Sequence, residues 1–590
     1  MEEAGQGTAA TPGARGRGAD GEAPGEAAPG TRGTDLSADV LRAVPPEAPA
    51  PAAVPHPRGA PPGRAWWRDA VFYQVYPRSF ADSDGDGIGD LPGVTARLTH
   101  LRDLGVDAVW LSPFYPSPMA DAGYDVADPR GVDPLFGTAD DFDRLVARAH
   151  GLGLRVVVDI VPNHTSHEHA WFQAALASPP GSAERSRYLF RDGRGPGGDA
   201  PPNDWTSQFG GCAWTRIREA DGRPGQWYLH LYAPEQPDLN WRNLEVRAEY
   251  LSVLRHWLDR GVDGFRIDVA HGLVKAAGLP DAGEIPQGWE GRMHHRLPYW
   301  DQPEVHDIYR GWRRVLDSYE GERIAVAEAW VPHPERLAAY TRPDELHQAF
   351  NFPYLMAGWD AERIRRVVDA SLAAATSVGA PPTWVLANHD VVRAPTRLGG
   401  LDRALAALLV ELALPGSVYL YQGEELGLPE VLDLPDGLRQ DPVFLRSGGA
   451  ERGRDGCRVP LPWSNDGPSL GFSPSGRAWL PQPEAWRGLT AEAQAADPES
   501  TLGLYRRVLR LRREHPALGG DARLRWLPSP PGTLAFARDP GFTCAANPTD
   551  AAVEFAGYGR LLAASGAVAP APGGGCVLPA HTTAWWDAAG

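Results

Sequence analysis

The chain has 590 residues, 43% hydrophobic and 22% charged, a balance that excludes a wholly disordered protein. Its 57 Lys and Arg against 75 Asp and Glu leave a net charge of -18, which repels phosphate backbones and argues against a nucleic-acid partner. Four scattered cysteines without a CxxC (Cys212, Cys457, Cys544, Cys576) exclude a disulfide framework and a cysteine zinc site, and no apolar run reaches the roughly 18 residues of a membrane span.

In chain order, residues 1–65 come first. Ala, Gly and Pro make up 37 of the first 64 residues, with no aromatic residue and no Ile. Such a segment buries too little surface to offset its ordering entropy, so a disordered tail is expected. It lacks the apolar stretch of a secretory signal, and its recurring acids do not suit a transit peptide, so a cytoplasmic protein is expected. From Trp66, short β-branched runs alternate with amphipathic stretches. Strands are expected at 71–75, 108–111, 155–161, 264–269, 323–327, 347–352, 384–387 and 417–421. Among the helical stretches, Tyr250, Leu251, Leu254, Trp257 and Leu258 form a clear apolar stripe. Strand–helix alternation predicts a parallel sheet, and eight strands predict an α/β fold closed into a (β/α)8 TIM barrel. Two stretches break the rhythm. Residues 164–240, after the third strand, are read as an inserted small domain, because a structureless run of that length is improbable in a compact fold. Residues 428–498 form a second excursion. A helix is predicted from Thr501 to Glu514, and the barrel takes residues 66–163 and 241–515. Residues 520–590, rich in Gly, Pro and alternating apolar residues, read as a C-terminal antiparallel β-sandwich.

Functional residues of such a barrel sit at the C-terminal ends of its strands. The second strand is followed by Tyr124-Asp125 and the third by Asp159-Ile-Val-Pro-Asn163-His164. The fourth runs into Gly264-Phe-Arg266-Ile-Asp268-Val-Ala-His271, the fifth into Ala327-Glu328-Ala-Trp330 and the seventh into Ala387-Asn388-His389-Asp390. One rim thus gathers Asp125, Asp159, Asp268, Glu328 and Asp390 with His164, His389 and Arg266. A single strand-end acid reads as a cap or salt bridge. Five on one face repel one another at a cost that a scaffold would avoid. Two acids with a third that stabilises positive charge on a sugar ring suit glycoside hydrolysis. Separately, Asp82-Ser-Asp84-Gly-Asp86-Gly-Ile88-Gly-Asp90 sets alternate acids in a Gly-rich turn, a pattern for a hard cation. With Gly93 at its twelfth position it is not an EF-hand. His164, His167 and His169 lack a fourth partner for tetrahedral zinc. The single lysine, Lys275, against 56 arginines reads as coding bias.

These strand-end motifs, together and in this order, resemble the α-amylase superfamily of glycoside hydrolases, in its α-glucosidase and oligo-1,6-glucosidase branch, over residues 66–515. Tyr73-Gln-Val-Tyr-Pro-Arg-Ser-Phe80, Gln236-Pro-Asp-Leu-Asn240 and Tyr421-Gln-Gly-Glu-Glu425 agree with that branch. The resemblance implies a retaining mechanism with Asp268 as nucleophile, Glu328 as acid/base and Asp390 as the acid that stabilises the transition state. It implies Tyr124, Asp125, His164, Arg266 and His389 around the non-reducing glucose. It also implies that Arg458 pairs with Asp125 to close one end of the pocket, giving an exo-acting enzyme for short oligosaccharides. By the same resemblance Asp82, Asp84, Asp86, Asp90 and the carbonyl of Ile88 would hold structural calcium, with magnesium as the alternative, and no organic cofactor is expected. Val269 after the nucleophile resembles the α-1,6 cleavers, whereas Asp268-Val-Ala-His271-Gly-Leu-Val-Lys275 resembles bacterial α-1,4-glucosidases. The α-1,4 reading is favoured, with oligo-1,6-glucosidase or a glucosyl-transferring or isomerising enzyme as alternatives. A catalytically dead binding subunit is disfavoured because the acids are intact. The expected partner is an oligosaccharide, with no nucleic acid and no membrane, on a monomer or weak homo-oligomer.

Overall fold

The computed structural model describes residues 65–284, 297–520 and 523–587, so the expected disordered tail lies outside the described residues up to Arg64. Three parallel strands begin the fold: β1 (Val71–Val75), β2 (Ala108–Leu111) and β3 (Arg155–Ile160). The chain then leaves the barrel for the short strands β4 (Phe190–Arg191), β5 (Trp214–Arg218) and β6 (Pro224–Leu229), which pair as a three-stranded antiparallel sheet. It returns through β7 (Gly264–Ile267), β8 (Ile324–Ala327), β9 (Gln348–Ala349), β10 (Thr383–Val385) and β11 (Ser417–Tyr421). The eight barrel strands pair in the order β10-β11-β1-β2-β3-β7-β8-β9, and a parallel bridge from Phe350 to Thr383 brings the two ends together. All eight expected strands are present. Three are shorter at the rim than expected, because the chain turns out of the sheet at Val161, at Asp268 and at Leu386, and the sixth keeps only two residues.

The period of two along each strand sends alternate side chains inward. Inside the ring, Phe72 stacks on Tyr419 with centroids 4.3 Å apart, and Trp110 meets Phe350 and Tyr419. Gln348 satisfies its buried amide on Ser417 and on the Trp67 carbonyl. One step further toward the rim, the same inward alternation carries Gln74, Asp159 and Arg266. An apolar interior thus ends in a polar floor.

The helices cover the outer faces: α1 (Leu91–Leu104), α2 (Ala139–Gly151), α3 (Leu244–Asp259), α4 (Val305–Leu316), α5 (Ala361–Val378) and α6 (Leu401–Ala413). Their ends are written in the sequence. Asp90 caps α1 through the Gly93 N–H, Thr138 and Asp141 form a capping box on α2, and Gly379 at φ 76° ends α5. The predicted apolar stripe on α3 is buried. In the second excursion α7 (Pro442–Arg446) is capped by Asp441, and α8 (Thr501–Glu514) forms where expected.

The C-terminal region carries β12 (Leu524–Trp526), β13 (Leu534–Arg538), β14 (Phe542–Asn547), β15 (Val553–Phe555), β16 (Arg560–Ala564), β17 (Ala569–Pro570), β18 (Cys576–Leu578) and β19 (Thr582–Asp587). They form two antiparallel sheets, β12-β13-β14-β19-β16 and β15-β18-β17. Ala545, Ala584 and Trp586 of the first sheet pack on Phe555 and Leu578 of the second. The opposite face meets α6, where Trp585 donates to the Leu409 carbonyl and Arg538 to that of Ala413. Among the described residues no helix is long and apolar enough to cross a membrane.

Candidate active site

Arg266 leaves β7 into the centre of the rim and is 2% exposed. Its Nη1 donates to Asp159 at 2.8 Å and to Asp268 Oδ1 at 2.5 Å, and its Nη2 lies 3.0 Å from Glu328 Oε2. Three acids from β3, β7 and β8 therefore share one guanidinium. Burial pushes the carboxyls of Asp268 and Asp159 upward, Asp159 to about 6, against the pull of Arg266. Asp268 and Asp159 share that cation and raise one another, so the two titrate as a pair. Glu328 also accepts N–H bonds from the Val269 backbone at 2.8 Å and from Trp330 Nε1 at 3.0 Å. Val269, which makes that bond, has a φ of 45°, a left-handed conformation that costs a β-branched residue about 1–3 kcal/mol.

Asp390 faces this group from the end of β10. Burial would raise its carboxyl, but His389 and the guanidinium groups of Arg454 and Arg458 outweigh burial and hold it below the ordinary carboxylate range. Both arginines bond Asp390 Oδ1 at 2.9 Å. They are the persistent cations there, because burial holds His389 down to about 3 and the ring is neutral near pH 7. The His389 ring stacks on Tyr124 with centroids 5.2 Å apart, and Tyr124 donates to Asp159 at 3.2 Å. His164 lies beside the Tyr124 carbonyl and Gln236 and is held down to about 4 by burial.

One expected pair is corrected. Arg458 does not meet Asp125. The carboxylate of Asp125 is turned into its own loop, accepting from Ser117 Oγ and the N–H groups of Ala120 and Asp121. The acid that crosses to the second excursion is Asp121, 2.7 Å from Arg454 Nη2, with Gln236 on its other oxygen. Arg454 thus joins Asp121 and Asp390, and its Nε is held by Asp441, the cap of α7. Asp121 stands in the same Asp121-Ala-Gly-Tyr-Asp125 string, and nothing in that string says which acid turns outward. The solitary lysine is also more than coding bias. Lys275 is buried, bonding Asp238 at 2.6 Å, Asn163 at 2.7 Å and the Gly272 carbonyl at 2.6 Å, and so ties the insert to the loops after β3 and β7.

The acids open into a cavity of about 1070 Å³, walled by Phe209, Tyr232, Trp300, Trp330 and Met356 as well as Glu328. The insert reaches one side of it. Arg446 at the end of α7 holds the Phe209 and Gly210 carbonyls from the opposite side, at 3.3 and 2.5 Å.

At the loop before α1, Asp82, Asp84 and Asp86 bring carboxylate oxygens within 4.8 Å of one another. That donor set fits a hard divalent cation. Asp90 is not drawn into the group: its Oδ1 caps α1 and its Oδ2 accepts from Ser83. The Ile88 N–H donates to Asp86 at 2.7 Å. The three histidines weighed for zinc form no such group among the described residues.

A family profile described as "Alpha amylase, catalytic domain" matches residues 74–521. A probable alpha-glucosidase of Rhizobium meliloti (strain 1021) is 39% identical over 506 residues, 81% of this chain and 88% of the relative. An oligo-1,6-glucosidase of Parageobacillus thermoglucosidasius is 36% identical over 488 residues, 77% of this chain and 84% of the relative. The crystal structure of the alpha-glucosyl transfer enzyme XgtA superposes with a TM-score of 0.81 at 39% identity, covering 88% of this chain and 99% of that one. With a strand-end cluster of acids on a parallel barrel and a family match over most of its length, the chain belongs to the alpha-amylase family and is a glycosidase.

Proposed function

We propose that the protein is a retaining, exo-acting α-glucosidase that releases glucose from the non-reducing end of short α-glucosides such as maltose. The observation that carries this reading is the single guanidinium of Arg266 holding both Asp268 and Glu328. Retaining carboxyls stand about 5–5.5 Å apart and inverting ones about 6.5–9.5 Å, and two acids on one guanidinium suit the shorter spacing. Arg266 engages Asp268 Oδ1, leaving Oδ2 to attack the anomeric carbon. As that bond forms, the glycosidic C–O bond breaks and the proton of Glu328 passes to the leaving oxygen. The Glu328 carboxylate then takes a proton from water. The hydroxide oxygen bonds the anomeric carbon, the ester to Asp268 breaks, and glucose leaves with its configuration retained. Asp390, kept ionised by Arg454 and Arg458, stabilises the positive charge on the ring. Tyr124, His164, Arg266 and His389 surround the terminal glucose. The Asp121–Arg454 pair closes that end of the pocket, which is the basis of the exo reading. The acid loop before α1 would hold calcium through Asp82, Asp84 and Asp86.

A second reading, glucosyl transfer, is favoured by the aromatic wall of Phe209, Trp300 and Trp330, which can seat an acceptor in place of water, and by the likeness to the transfer enzyme XgtA. The test is initial glucose release from matched maltose and isomaltose, with all products followed by chromatography. Maltose is expected to be preferred, with glucose the first product. An isomaltose preference would assign an oligo-1,6-glucosidase, and oligosaccharide products outrunning glucose would assign a transferase. Asp268→Asn is expected to lose at least about a thousandfold in kcat/KM; full activity in that variant would remove Asp268 from the nucleophile role.

A further inference from the structure

We propose that Gln74 is a positioning residue that fixes the tautomer of His389, so that the ring carries its proton on Nε2, beside Asp390. The inference rests on the reading of His389 as a sugar-holding residue. Gln74 points inward from β1, one step above Phe72, and is 1% exposed. Its Nε2 lies 2.6 Å from His389 Nδ1 and 3.0 Å from Ser112 Oγ.

The plane of the His389 ring is already set. Tyr124 stacks on it within 5° of parallel and Tyr76 within 18°, and the edge of Trp110 closes a third side. Its backbone carbonyl is held by Arg458 Nε at 2.9 Å and Cys457 Sγ at 3.2 Å. Burial keeps the ring neutral near pH 7, so a single proton must choose between two nitrogens. Nδ1 faces the Gln74 amide. Nε2 lies 3.3 Å from Asp390 Oδ2, a carboxylate that can only accept. With the proton on Nε2, its N–H lies against the Asp390 carboxylate, 3.3 Å away, and Nδ1 accepts from Gln74. The opposite arrangement, with the Gln74 amide turned over and the proton on Nδ1, would set the lone pair of Nε2 against the anionic Asp390. Both arrangements leave one atom of the Gln74 amide without a partner, so the carboxylate decides between them. Gln74 then does for His389 what an outer-shell partner does for a metal-bound imidazole: it fixes which nitrogen carries the proton.

The test uses the full-length protein with two substitutions and a direct readout. Gln74→Met keeps the side-chain volume and removes the amide. It should lower kcat/KM for maltose about tenfold, with the thermal midpoint lowered by no more than a few degrees. Gln74→Glu places an acceptor at Nδ1, which favours the imidazolium against Arg266, Arg454 and Arg458. Its pH profile should gain an alkaline limb, activity falling as His389 loses its second proton, and a merely structural role would not move that limb. Ser112→Ala, which keeps the bond to His389, should stay within about twofold. Long-range 1H–15N spectra of the histidine-labelled wild type, with His389 assigned by subtraction of His389→Gln, should show the proton on Nε2. A proton on Nδ1 would overturn the proposal even if both Gln74 variants misfold. So would a Gln74→Met enzyme within twofold of wild type with an unchanged pH profile. Failure of the wild type on every α-glucoside would instead defeat the functional reading and leave the spectrum to judge the tautomer.

Discussion

Asp121 and Asp125 stand four residues apart on the loop after β2, and their surroundings give them different work. Asp121 bonds Arg454 of the second excursion, whereas Asp125 is fully buried and knots its own loop through Ser117 and two backbone N–H groups. Asp121→Asn leaves Arg454 short of one partner. It should lower kcat/KM for maltose by about a hundredfold with only a small loss of thermal midpoint, because Arg454 keeps Asp390 and Asp441 and the pair is not broken outright, which would cost about 3–5 kcal/mol. Asp125→Asn should do the reverse, lowering the midpoint by several degrees with a smaller effect on kcat/KM. Steady-state kinetics and calorimetry on the two variants check the contrast, and equal kinetic losses would return Asp125 to the pocket. The contrast also shows what was legible at this scale. The strand-end residues Arg266, Asp268, Glu328, His389 and Asp390 could be read because a strand fixes where its last residue points. Asp121 could not be separated from Asp125, nor Gln74 and Lys275 given work, because a loop conformation or a buried partner decides each of them and neither leaves a pattern in the sequence.

At the scale of elements, periodicity made the barrel strands and the helices α3 and α8 readable, and the alternating acids marked the loop before α1. The second excursion was unreadable because it is held by contacts without a period, such as Arg446 on the Phe209 and Gly210 carbonyls. That loop and that excursion meet. The Asp82 N–H donates to the Phe472 carbonyl at 2.9 Å and the Trp479 N–H to the Gly87 carbonyl at 2.9 Å, while Arg78 stacks 3.9 Å over Trp479. Asp84 and Asp86 are exposed, so water screens their repulsion only in part, and a bound divalent cation would remove it. A cation on Asp82, Asp84 and Asp86 would therefore stabilise the docking of two elements as well as one turn. Chelation is expected to lower the thermal midpoint and added calcium to restore it, with magnesium less effective. The double variant Asp84→Asn, Asp86→Asn should lose the response to calcium. A midpoint indifferent to chelator and to calcium would remove the metal from this loop.

The whole molecule joins a barrel to a sandwich through α6, and behind that joint it buries two acids that no step of the chemistry uses. Glu411 on α6 is fully buried with no hydrogen-bond partner on either carboxylate oxygen. Glu424, just past β11, is 7% exposed and accepts the Tyr421 N–H at 2.7 Å. Burial raises the Glu424 carboxyl from its ordinary 4.5 to about 8, against the pull of the Tyr421 N–H and Arg397. Burial likewise pushes Glu411 well upward, with Glu424 adding to it. The folded protein then keeps a proton on Glu424 across the interval in which the unfolded chain has lost it. Stability from this group is fully present below pH 4.5 and is lost as pH rises toward about 8, a loss of a few kcal/mol if nothing relaxes. Glu424→Gln keeps the acceptor for Tyr421 and removes the titration. The variant should therefore gain thermal midpoint over wild type at pH 8, with the gap closing by pH 5, and its kcat should hold because Glu424 lies outside the pocket. A gap that stays constant between pH 8 and pH 5 would mean that Glu424 is ionised in the fold and paired, with Arg397 the cation that holds it. With its carboxyl raised by burial, Glu424 places an alkaline limit on stability behind this joint between barrel and sandwich, away from the catalytic acids.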